Sequence, residues 1–285
     1  MRRFTLVAGL IWLALIAWHF PWATDDPVRR EDALQAFYDW QYSESQYAQV
    51  ADNSRAAHGT RDSVARFVQT YHLQSAKVLD VGSGTGEFQD LVADYTGLDI
   101  SGVVAKHYHK PFVQGTATAM PFTAASFDVV WSIWTLEHIP NPEAALQEIR
   151  RVVKPGGYVY LEPAWAVPSW VAQGYNVRAY GDLSLWGKAV KASIPIRSSR
   201  LFWLAVAVPV RVIRDVTAIW PTQFRYRRLT PNYEQYWQSD SDAVASLDAL
   251  ETRRWFESRG DVCLNCPTSV LQYLQVQPLI IRRSQ

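Results

Sequence analysis

The sequence is poor in cysteine and has almost no net charge. It contains 2 cysteines in 285 residues, and 28 Lys and Arg against 27 Asp and Glu leave a formal net charge of +1. A secreted domain built on disulfides needs more cysteines than this. A charge so close to zero provides no global field that attracts nucleic acid. We therefore expect neither a disulfide scaffold nor a nucleic-acid partner.

The two cysteines, Cys263 and Cys266, form a CxxC motif near the C-terminus. This spacing suits metal or redox chemistry, but a zinc site needs a second pair of ligands, and the sequence offers no convincing one. Both cysteines lie in a stretch, residues 262–270, that is typical of a strand. We interpret the pair as structural.

The N-terminus carries the longest apolar run. Residues 4–22 follow Arg2 and Arg3 and are interrupted by His19 alone, with three tryptophans in or after the middle of the run. About twenty apolar residues are enough to span a bilayer, and tryptophan favours its interface. We predict a membrane anchor over residues 1–23, either transmembrane or held within one leaflet. A cleaved signal peptide is the alternative, disfavoured by the long apolar region and the lack of a clean cleavage site.

Short β-branched runs alternate with helical patterns from residue 77 onward. The predicted strands are Lys77–Val81, 95–99, Phe112–Gln114, 127–131 and 158–162. The predicted helices are 31–53 and 61–71 before them, 142–153 among them, and 243–260 after them, followed by strands 262–265 and 270–281. Strands that alternate with helices predict a parallel sheet with right-handed crossovers, hence an α/β domain.

The first strand runs into three glycines at alternate positions, Gly82, Gly84 and Gly86, with a helix expected next. Glycines allow a tight turn and close approach of a ligand to the backbone. A nicotinamide oxidoreductase is disfavoured because dinucleotide folds space the third glycine differently. The next strand ends at Asp99, whose carboxylate we expect beside the crevice, within reach of two ribose hydroxyls.

Three further motifs follow in order: residues 115–122 (GTATAMPF), 136–139 (LEHI) and 153–157 (VKPGG). With the glycine loop and Asp99, they resemble the class I S-adenosylmethionine-dependent methyltransferases, in the type 11 group that includes ubiquinone and menaquinone methyltransferases. The resemblance covers about residues 75–165, with a weaker echo over 240–281. It implies a Rossmann-like, doubly wound sheet of seven strands, S-adenosylmethionine as cofactor, and a methyltransferase activity.

The resemblance also implies roles for single residues. Those expected to bind the cofactor are Asp80, Gly82, Ser83, Gly84, Gly86, Asp99, Ile100, Thr116, Ala117, Met120 and Trp131. Thr116 stands where the family usually has an aspartate that bonds the adenine, which puts adenine recognition in question. Met120 is as well suited to the core as to the adenine. Trp131, at the end of its predicted strand, is expected to face the reaction space.

His138 is the candidate general base, since imidazole titrates near neutral pH. A structural role for the pair Glu137 and His138 is the alternative. In some ubiquinone O-methyltransferases a glutamate three residues before this pair helps to form a metal site. Trp134 occupies that position here, so we predict no metal. Tyr42 and Tyr47 are candidate aromatic contacts to the cofactor from the preceding helices.

Basic residues are concentrated in a predicted insertion, residues 166–235. Between Asp182 and Glu234 they are Lys188, Lys191, Arg197, Arg200, Arg211, Arg214, Arg225, Arg227 and Arg228. The apolar run 201–210 lies among them. We predict a helix in the lipid headgroup region, with Arg211 and Arg214 on lipid phosphates; a helical lid with a solvated basic rim is the alternative. The aromatic residues expected to line an acceptor pocket are Trp165, Trp170, Tyr175 and Tyr180.

We therefore divide the chain into four parts: a membrane helix (1–23), a linker with cap helices (24–74), an S-adenosylmethionine-binding methyltransferase domain (75–165 and 236–285), and the basic, aromatic insertion (166–235). The predicted function is methyl transfer to a lipid-phase or lipid-linked small-molecule acceptor. We expect a protein anchored to the inner or plasma membrane that faces the cytoplasm, because S-adenosylmethionine is a cytosolic metabolite. The alternative is a non-catalytic membrane-bound module that keeps the fold.

Overall fold

The computed structural model describes residues 2–26, 32–44, 53, 56, 58–233, 238–274 and 277–285. A seven-stranded sheet runs through the molecule in the order β3-β2-β1-β4-β5-β9-β8, and β6 and β7 form a separate pair. The strands are β1 (Lys77–Val81), β2 (Asp94–Asp99), β3 (Phe112–Gln114), β4 (Phe127–Ile133), β5 (Val153–Glu162), β6 (Arg227–Arg228), β7 (Ala245–Ser246), β8 (Val262–Cys263) and β9 (Leu279–Arg282). The first five are parallel, whereas β9 is antiparallel to both β5 and β8.

Helices surround the sheet. They are α1 (Arg2–His19), α2 (Asp32–Ser43), α3 (Thr60–Thr70), α4 (Pro142–Val152), α5 (Ser169–Ala172), α6 (Leu185–Arg197), α7 (Arg200–Phe202), α8 (Val208–Val216) and α9 (Ala249–Glu257). A π-helical turn, Trp203–Ala207, joins α7 to α8. Short 3₁₀ turns cover Gln89–Leu91, Gly102–His107, Leu136–His138, Tyr180–Asp182 and Val270–Leu274.

The central strands are buried on both faces, which explains why the sequence predicted them well. On β1, Leu79 and Val81 pack into the core on one side of the sheet, and Val78 packs into the core on the other. Strand β4 divides in the same way between Val130 and Val129. Parallel strands covered on both faces have continuous apolar runs. The predicted α/β class and doubly wound parallel sheet are confirmed for this part of the chain.

The prediction of a helix after the glycine loop is wrong. Turns and the 3₁₀ turn Gln89–Leu91 fill residues 82–93, and β2 already begins at Asp94. This connection is too short for several helical turns between two strands. Helix α3 packs Val64, Phe67 and Val68 into the core on the Val78 face instead.

The C-terminal helix starts later than predicted. Asp248 caps it by accepting bonds from the amides of Leu250 and Glu251, so α9 begins at Ala249. Capping by an aspartate side chain defines a helix start in this way. The strand expected over 270–281 is also shorter: a 3₁₀ turn covers Val270–Leu274, and β9 extends only over Leu279–Arg282.

The structure does not support the prediction of a transmembrane helix. Helix α1 has 18 residues, ends at His19, and includes Arg2 and Arg3. Its apolar part is therefore shorter than the ~20 residues that a span needs. None of the helices among the described residues is both long and apolar enough to cross a bilayer. The indole N–H of Trp12 donates to the carbonyl of Ala205 at 2.7 Å, so α1 lies against the π-helical turn.

The segment after α1 is attached to the domain. Ala23 and Tyr226 exchange two backbone hydrogen bonds of 3.0 Å. The carboxylate of Asp25 accepts from the amides of Glu143 and Ala144 at 3.3 and 2.8 Å, which satisfies donors at the start of α4. Ala23 and Asp25, the latter in the predicted linker, thus hold the segment after α1 to Tyr226 and to the start of α4.

The expected contact of Arg211 and Arg214 with lipid phosphates is wrong. Both guanidinium groups are turned inward: Arg211 Nε lies 2.8 Å from Asp248 Oδ2, and Arg214 Nη2 lies 2.8 Å from Glu251 Oε1. Arg211 is only 4% exposed. Asp248, the cap of α9, and Glu251 on α9 pair with these two arginines. The local sequence around the arginines could not reveal these partners.

Cys263 and Cys266 are joined in a disulfide beside the main core. The sequence predicted a structural role for the pair without predicting this bond.

Candidate functional site

The glycine loop is pressed against the loop that follows β4. Gly82 has a left-handed φ of 70°, and a Cβ at this position would lie 2.0 Å from Thr135 Cγ2. The amides of Gly82 and Ser83 both donate to the Leu98 carbonyl, at 2.8 and 3.0 Å. Only glycine tolerates this combination of φ and contact. The loop is thereby fixed between the carboxyl ends of β1, β2 and β4.

Asp99 is bonded directly to the glycine loop. Its Oδ2 accepts from the Gly84 amide at 2.9 Å, and its Oδ1 accepts from the Ser101 amide at 2.9 Å. Burial raises the pKa of Asp99 to about 6, so the group is ionised at neutral pH. Each carboxylate oxygen has a further lone pair, which leaves two acceptor positions for ligand hydroxyls. The predicted pairing of the loop with an acid at the end of the next strand is thus present.

Helix α2 covers this loop. An ideal Cβ on Gly84 would lie 3.1 Å from the Tyr42 hydroxyl oxygen, which places Tyr42 over the glycines as expected. Tyr47 lies outside the described residues. Asp39, not predicted, accepts a 2.6 Å bond from Ser101 Oγ. Its spacing of three residues from Tyr42 puts both on one helix face, a signal that could have identified it.

Asp80 lies on β1, two residues before Gly82 of the glycine loop. Its carboxylate is 1% exposed and accepts a 2.8 Å bond from the Tyr95 hydroxyl. The Tyr108 hydroxyl lies 2.7 Å from Ser83 Oγ and 2.8 Å from the Gly84 carbonyl. Burial raises the pKa of both tyrosines, which keeps them protonated as donors. The cofactor role of Asp80 stays a prediction; in this structure its side chain faces Tyr95.

The predicted adenine side is a turn in which Thr116 makes a local bond. Its Oγ1 accepts from the Thr118 amide at 3.2 Å. Ala117 packs against the main core, and Met120 is a buried member of it. Ile100 is half-buried at the end of β2. Of the two interpretations for Met120, the structure favours the core.

Trp131 does not face the reaction space. Strand β4 continues two residues further than predicted, to Ile133, so Trp131 lies within the sheet. Its side chain is fully buried, with ring centroids of Phe88 and Tyr95 at 6.5 and 6.3 Å. The early end assigned to the strand explains the error.

His138 lies in a buried cluster with two acids and a tyrosine. His138 Nδ1 is 3.5 Å from Asp242 Oδ2, and Nε2 is 3.8 Å from Glu137 Oε1. The Tyr38 hydroxyl donates to Asp242 Oδ2 at 3.1 Å. Burial acts against protonation of His138, but the carboxylates of Asp242 and Glu137 outweigh it and raise its pKa. The imidazole is therefore held where it can exchange a proton.

The same cluster includes a group that could hold a metal ion. Glu137, His138 and Asp240 each offer one ligand atom, and these atoms lie within 4.8 Å of one another. Glu137 is fully buried, and burial raises its pKa to about 7. Its Oε2 has no hydrogen-bond partner among the described residues. The predicted absence of metal rested on Trp134 and did not consider Asp240, which is distant in sequence.

The aromatic residues expected to line an acceptor pocket do not converge. Three of them lie under cations: Trp170 under Arg197 at 4.3 Å, Tyr175 under Arg178 at 5.7 Å, and Tyr180 under Lys191 at 5.3 Å. Trp165 packs against the main core. In these three residues a cation of the chain itself already occupies one face of the ring.

Comparison with known proteins identifies the central part of the chain. Residues 79–161 match the family model described as a methyltransferase domain. The chain is 40% identical over 91 residues to a demethylmenaquinone methyltransferase of Renibacterium salmoninarum. This match covers 28% of this chain and 38% of the relative. The chain is also 36% identical over 110 residues to a ubiquinone biosynthesis O-methyltransferase of Dechloromonas aromatica, covering 33% and 46%.

A sterol 24-C-methyltransferase of Gibberella zeae is 37% identical over 97 residues, covering 28% of this chain and 26% of that one. The chain therefore spans less than half of the length of these three relatives. Residues 79–161, which match the family model, contain the glycine loop, Asp99 and His138.

Proposed function

We propose that this protein, whose residues 79–161 form a methyltransferase domain of the class I S-adenosylmethionine-dependent type, transfers a methyl group to a lipid-phase or lipid-linked acceptor at a membrane surface. The observation that carries the proposal is the bonded unit of Gly84 and Asp99 at the carboxyl ends of β1 and β2. Ligands of doubly wound sheets bind at this edge.

The residues present fit the cofactor. Gly82 and Gly84 leave the backbone uncovered by Cβ atoms, and the buried Asp99 offers acceptor oxygens for two hydroxyls. The Tyr42 hydroxyl lies close to Gly84 in this loop. When bound, S-adenosylmethionine supplies a methyl group on a sulfonium, whose carbon–sulfur bond breaks as the bond to the acceptor forms. These features do not favour the alternative of a non-catalytic module, for which a buried, ionised Asp99 would have no use.

We propose that His138 takes the proton that a hydroxyl acceptor loses. The loop that carries it is tied to the glycine loop, since Thr135 Oγ1 donates to the Gly82 carbonyl at 3.1 Å. Asp242 and Glu137 stabilise the imidazolium that results. The main contribution of the chain is to align the acceptor and exclude water, because a sulfonium needs little further activation.

A lipid acceptor is supported by the matched relatives and by the surface. The relatives are named for quinones and sterols, which are lipid-soluble. Large apolar side chains are exposed on α1 and on the insertion: Leu6, Leu10, Leu13, Trp18, Trp22, Leu185, Trp186, Ile196, Leu201, Val216 and Ile219. Exposed apolar patches of this extent mark membrane or protein contacts. We place α1 on the membrane surface, on the cytoplasmic side, where S-adenosylmethionine is made.

The proposal is tested by following a tritiated methyl group. The full-length protein is mixed with labelled S-adenosylmethionine and vesicles that contain a demethylated quinone, a sterol or a fatty acid. We expect label in the lipid extract, lost in Asp99→Ala and retained in Asp94→Ala, an exposed acid at the start of the same strand. His138→Asn should lower transfer but leave cofactor affinity unchanged. Label that enters only water-soluble acceptors would contradict a lipid acceptor.

A further inference from the structure

Two arginines, Arg197 and Arg227, lie near His19 where α1 and α6 end and β6 begins. None has a carboxylate within ion-pair distance in the part of the chain that the structure describes, unlike neighbouring Arg211 and Arg214. Burial lowers the pKa of Arg227, and the charge of Arg197 lowers it further. Burial also lowers the pKa of His19, and the charges of Arg227 and Arg197 lower it further, so its imidazole is neutral at pH 7. The charge of Asp248 acts in the opposite direction on Arg227, but this carboxylate already pairs with Arg211 at 2.8 Å. An excess of positive charge in a half-buried place favours an external anion.

Arg227 lines an open cavity of about 550 Å³. Arg228 lies beside it, and Trp18, Phe20 and Trp22 form an aromatic wall. The structure gives Arg227 one hydrogen bond, from Nη2 to Ser246 Oγ at 3.1 Å. A guanidinium has five N–H donors, so most of them are available for a ligand.

The other side chains near the cavity leave its charge positive. Arg228 donates to the Thr24 carbonyl at 3.0 Å, and its Nη2 is 3.8 Å from Asp26 Oδ2, a weak and half-exposed pair. Arg197 stacks on Trp170 with its guanidinium carbon 4.3 Å from the ring centroid. Planar guanidinium groups match the geometry of phosphate.

An exposed apolar face adjoins this cavity. Leu6, Leu10 and Leu13 follow one side of α1 and are 66%, 58% and 55% exposed. Trp18 and Trp22, at the end of the face, are 73% and 65% exposed and belong to the cavity wall. In an interfacial helix the apolar face lies among the lipid chains, tryptophans lie at the interface, and cations lie level with the lipid phosphates. The apolar face of α1, the two tryptophans and the arginines follow this order along the surface.

We propose that the cavity at Arg227 binds the phosphate of an anionic phospholipid headgroup, while the exposed face of α1 lies among the lipid chains. The inference rests on the proposed function, since it specifies the surface on which the acceptor is met. Arg227 is the main ligand of the phosphate, with Arg197 and Arg228 at its sides. The two arginines expected from sequence to contact lipid, Arg211 and Arg214, are replaced in this role.

The test measures flotation of the full-length protein with vesicles of phosphatidylcholine alone or mixed equally with phosphatidylglycerol. Arg227→Gln should weaken binding to the mixed vesicles about fivefold or more, because each surface arginine contributes roughly that factor. It should weaken binding to phosphatidylcholine less, because the choline cation of that headgroup offsets the charge of its phosphate. Leu10→Asn should weaken binding to both vesicles. Arg282→Gln, which removes an exposed cation on β9, is the matched control and should have no effect.

Calorimetry with S-adenosylmethionine separates this inference from the proposed function. Unchanged cofactor affinity in every variant shows that only membrane docking is altered; equal vesicle binding by Arg227→Gln and Arg282→Gln would then overturn the phosphate site. Inorganic phosphate that displaces the protein from mixed vesicles at millimolar concentration would point to a free phosphate instead of a lipid. Should Arg227→Gln lower the melting temperature, Arg197→Gln gives the same test without a lost hydrogen bond.

Discussion

The carboxyl edge of the parallel strands and the outer surface around α1, α6, α7 and β6 differ in how far their polar groups are paired within the molecule. At the sheet edge, Asp99 is buried and both of its oxygens accept backbone bonds. On the outer surface, Arg197 and Arg227 lack carboxylate partners among the described residues, and Trp18 and Leu201 are exposed. Satisfied buried groups form a preorganised binding site. An exposed apolar surface with unbalanced cations is completed only by a partner.

The largest expected effect on unfolding free energy distinguishes a buried, paired arginine from an exposed one. Arg214→Gln leaves Glu251 without its partner in a buried position, which should cost about 3–5 kcal/mol of unfolding free energy. Arg200→Gln, on the exposed surface, should change it by less than about 0.5 kcal/mol. Urea unfolding at pH 8 measures both. Equal effects would mean that Arg214 is as weakly paired as the surface arginines.

A second pair of variants tests the glycine loop at the carboxyl edge of the sheet. Gly82 and Gly156 both have left-handed φ angles, 70° and 75°, but a Cβ on Gly156 meets no atom within 4 Å. Gly156→Ala should therefore cost only the ~1–2 kcal/mol of a left-handed alanine and keep cofactor affinity. Gly82→Ala should cost more and weaken S-adenosylmethionine binding at least about tenfold, since Thr135 must move. Matching cofactor affinities in the two variants would contradict the role of the loop.

The third prediction uses pH to examine Asp99. Its folded pKa of about 6 lies above the ordinary 3.8, so its contribution to folding stability is present when protonated and is lost as the pH rises from about 4 to 6. Cofactor binding follows the opposite direction, because the carboxylate is the better acceptor. Affinity should fall up to about tenfold per pH unit below 6. Calorimetry on Asp99→Asn, which does not titrate, should give a flat profile; a sloping one would assign the pH dependence elsewhere.

The smallest effect tests how α1 is held. Trp12→Phe removes the bond to the Ala205 carbonyl and should cost about 1 kcal/mol of stability. Trp18→Phe, at an exposed position without a hydrogen bond among the described residues, should cost almost nothing. Thermal unfolding compares them. If Trp18→Phe destabilises as much as Trp12→Phe, helix α1 is not held against the π-helical turn by that bond.

Local pattern explains which parts of the molecule could be predicted. Strands β1 to β5 are marked by apolar runs, and the glycine loop and Asp99 follow directly from them. The pairing of His138 with Asp242, and of Arg211 with Asp248, joins residues far apart in sequence. No spacing signals such contacts, because they arise only when the insertion and α9 pack on the sheet. The absent helix after the glycine loop could have been inferred from the short distance to β2.

The most direct measurement is S-adenosylmethionine binding by calorimetry, using the full-length protein and Asp99→Ala at pH 7.5. The account predicts saturable binding at one site in the wild type. It predicts about tenfold to hundredfold weaker binding in the variant, since bonds to a buried carboxylate contribute roughly 1.5–3 kcal/mol. A folded wild-type protein that binds no S-adenosylmethionine, or binds it equally well without Asp99, would contradict the account.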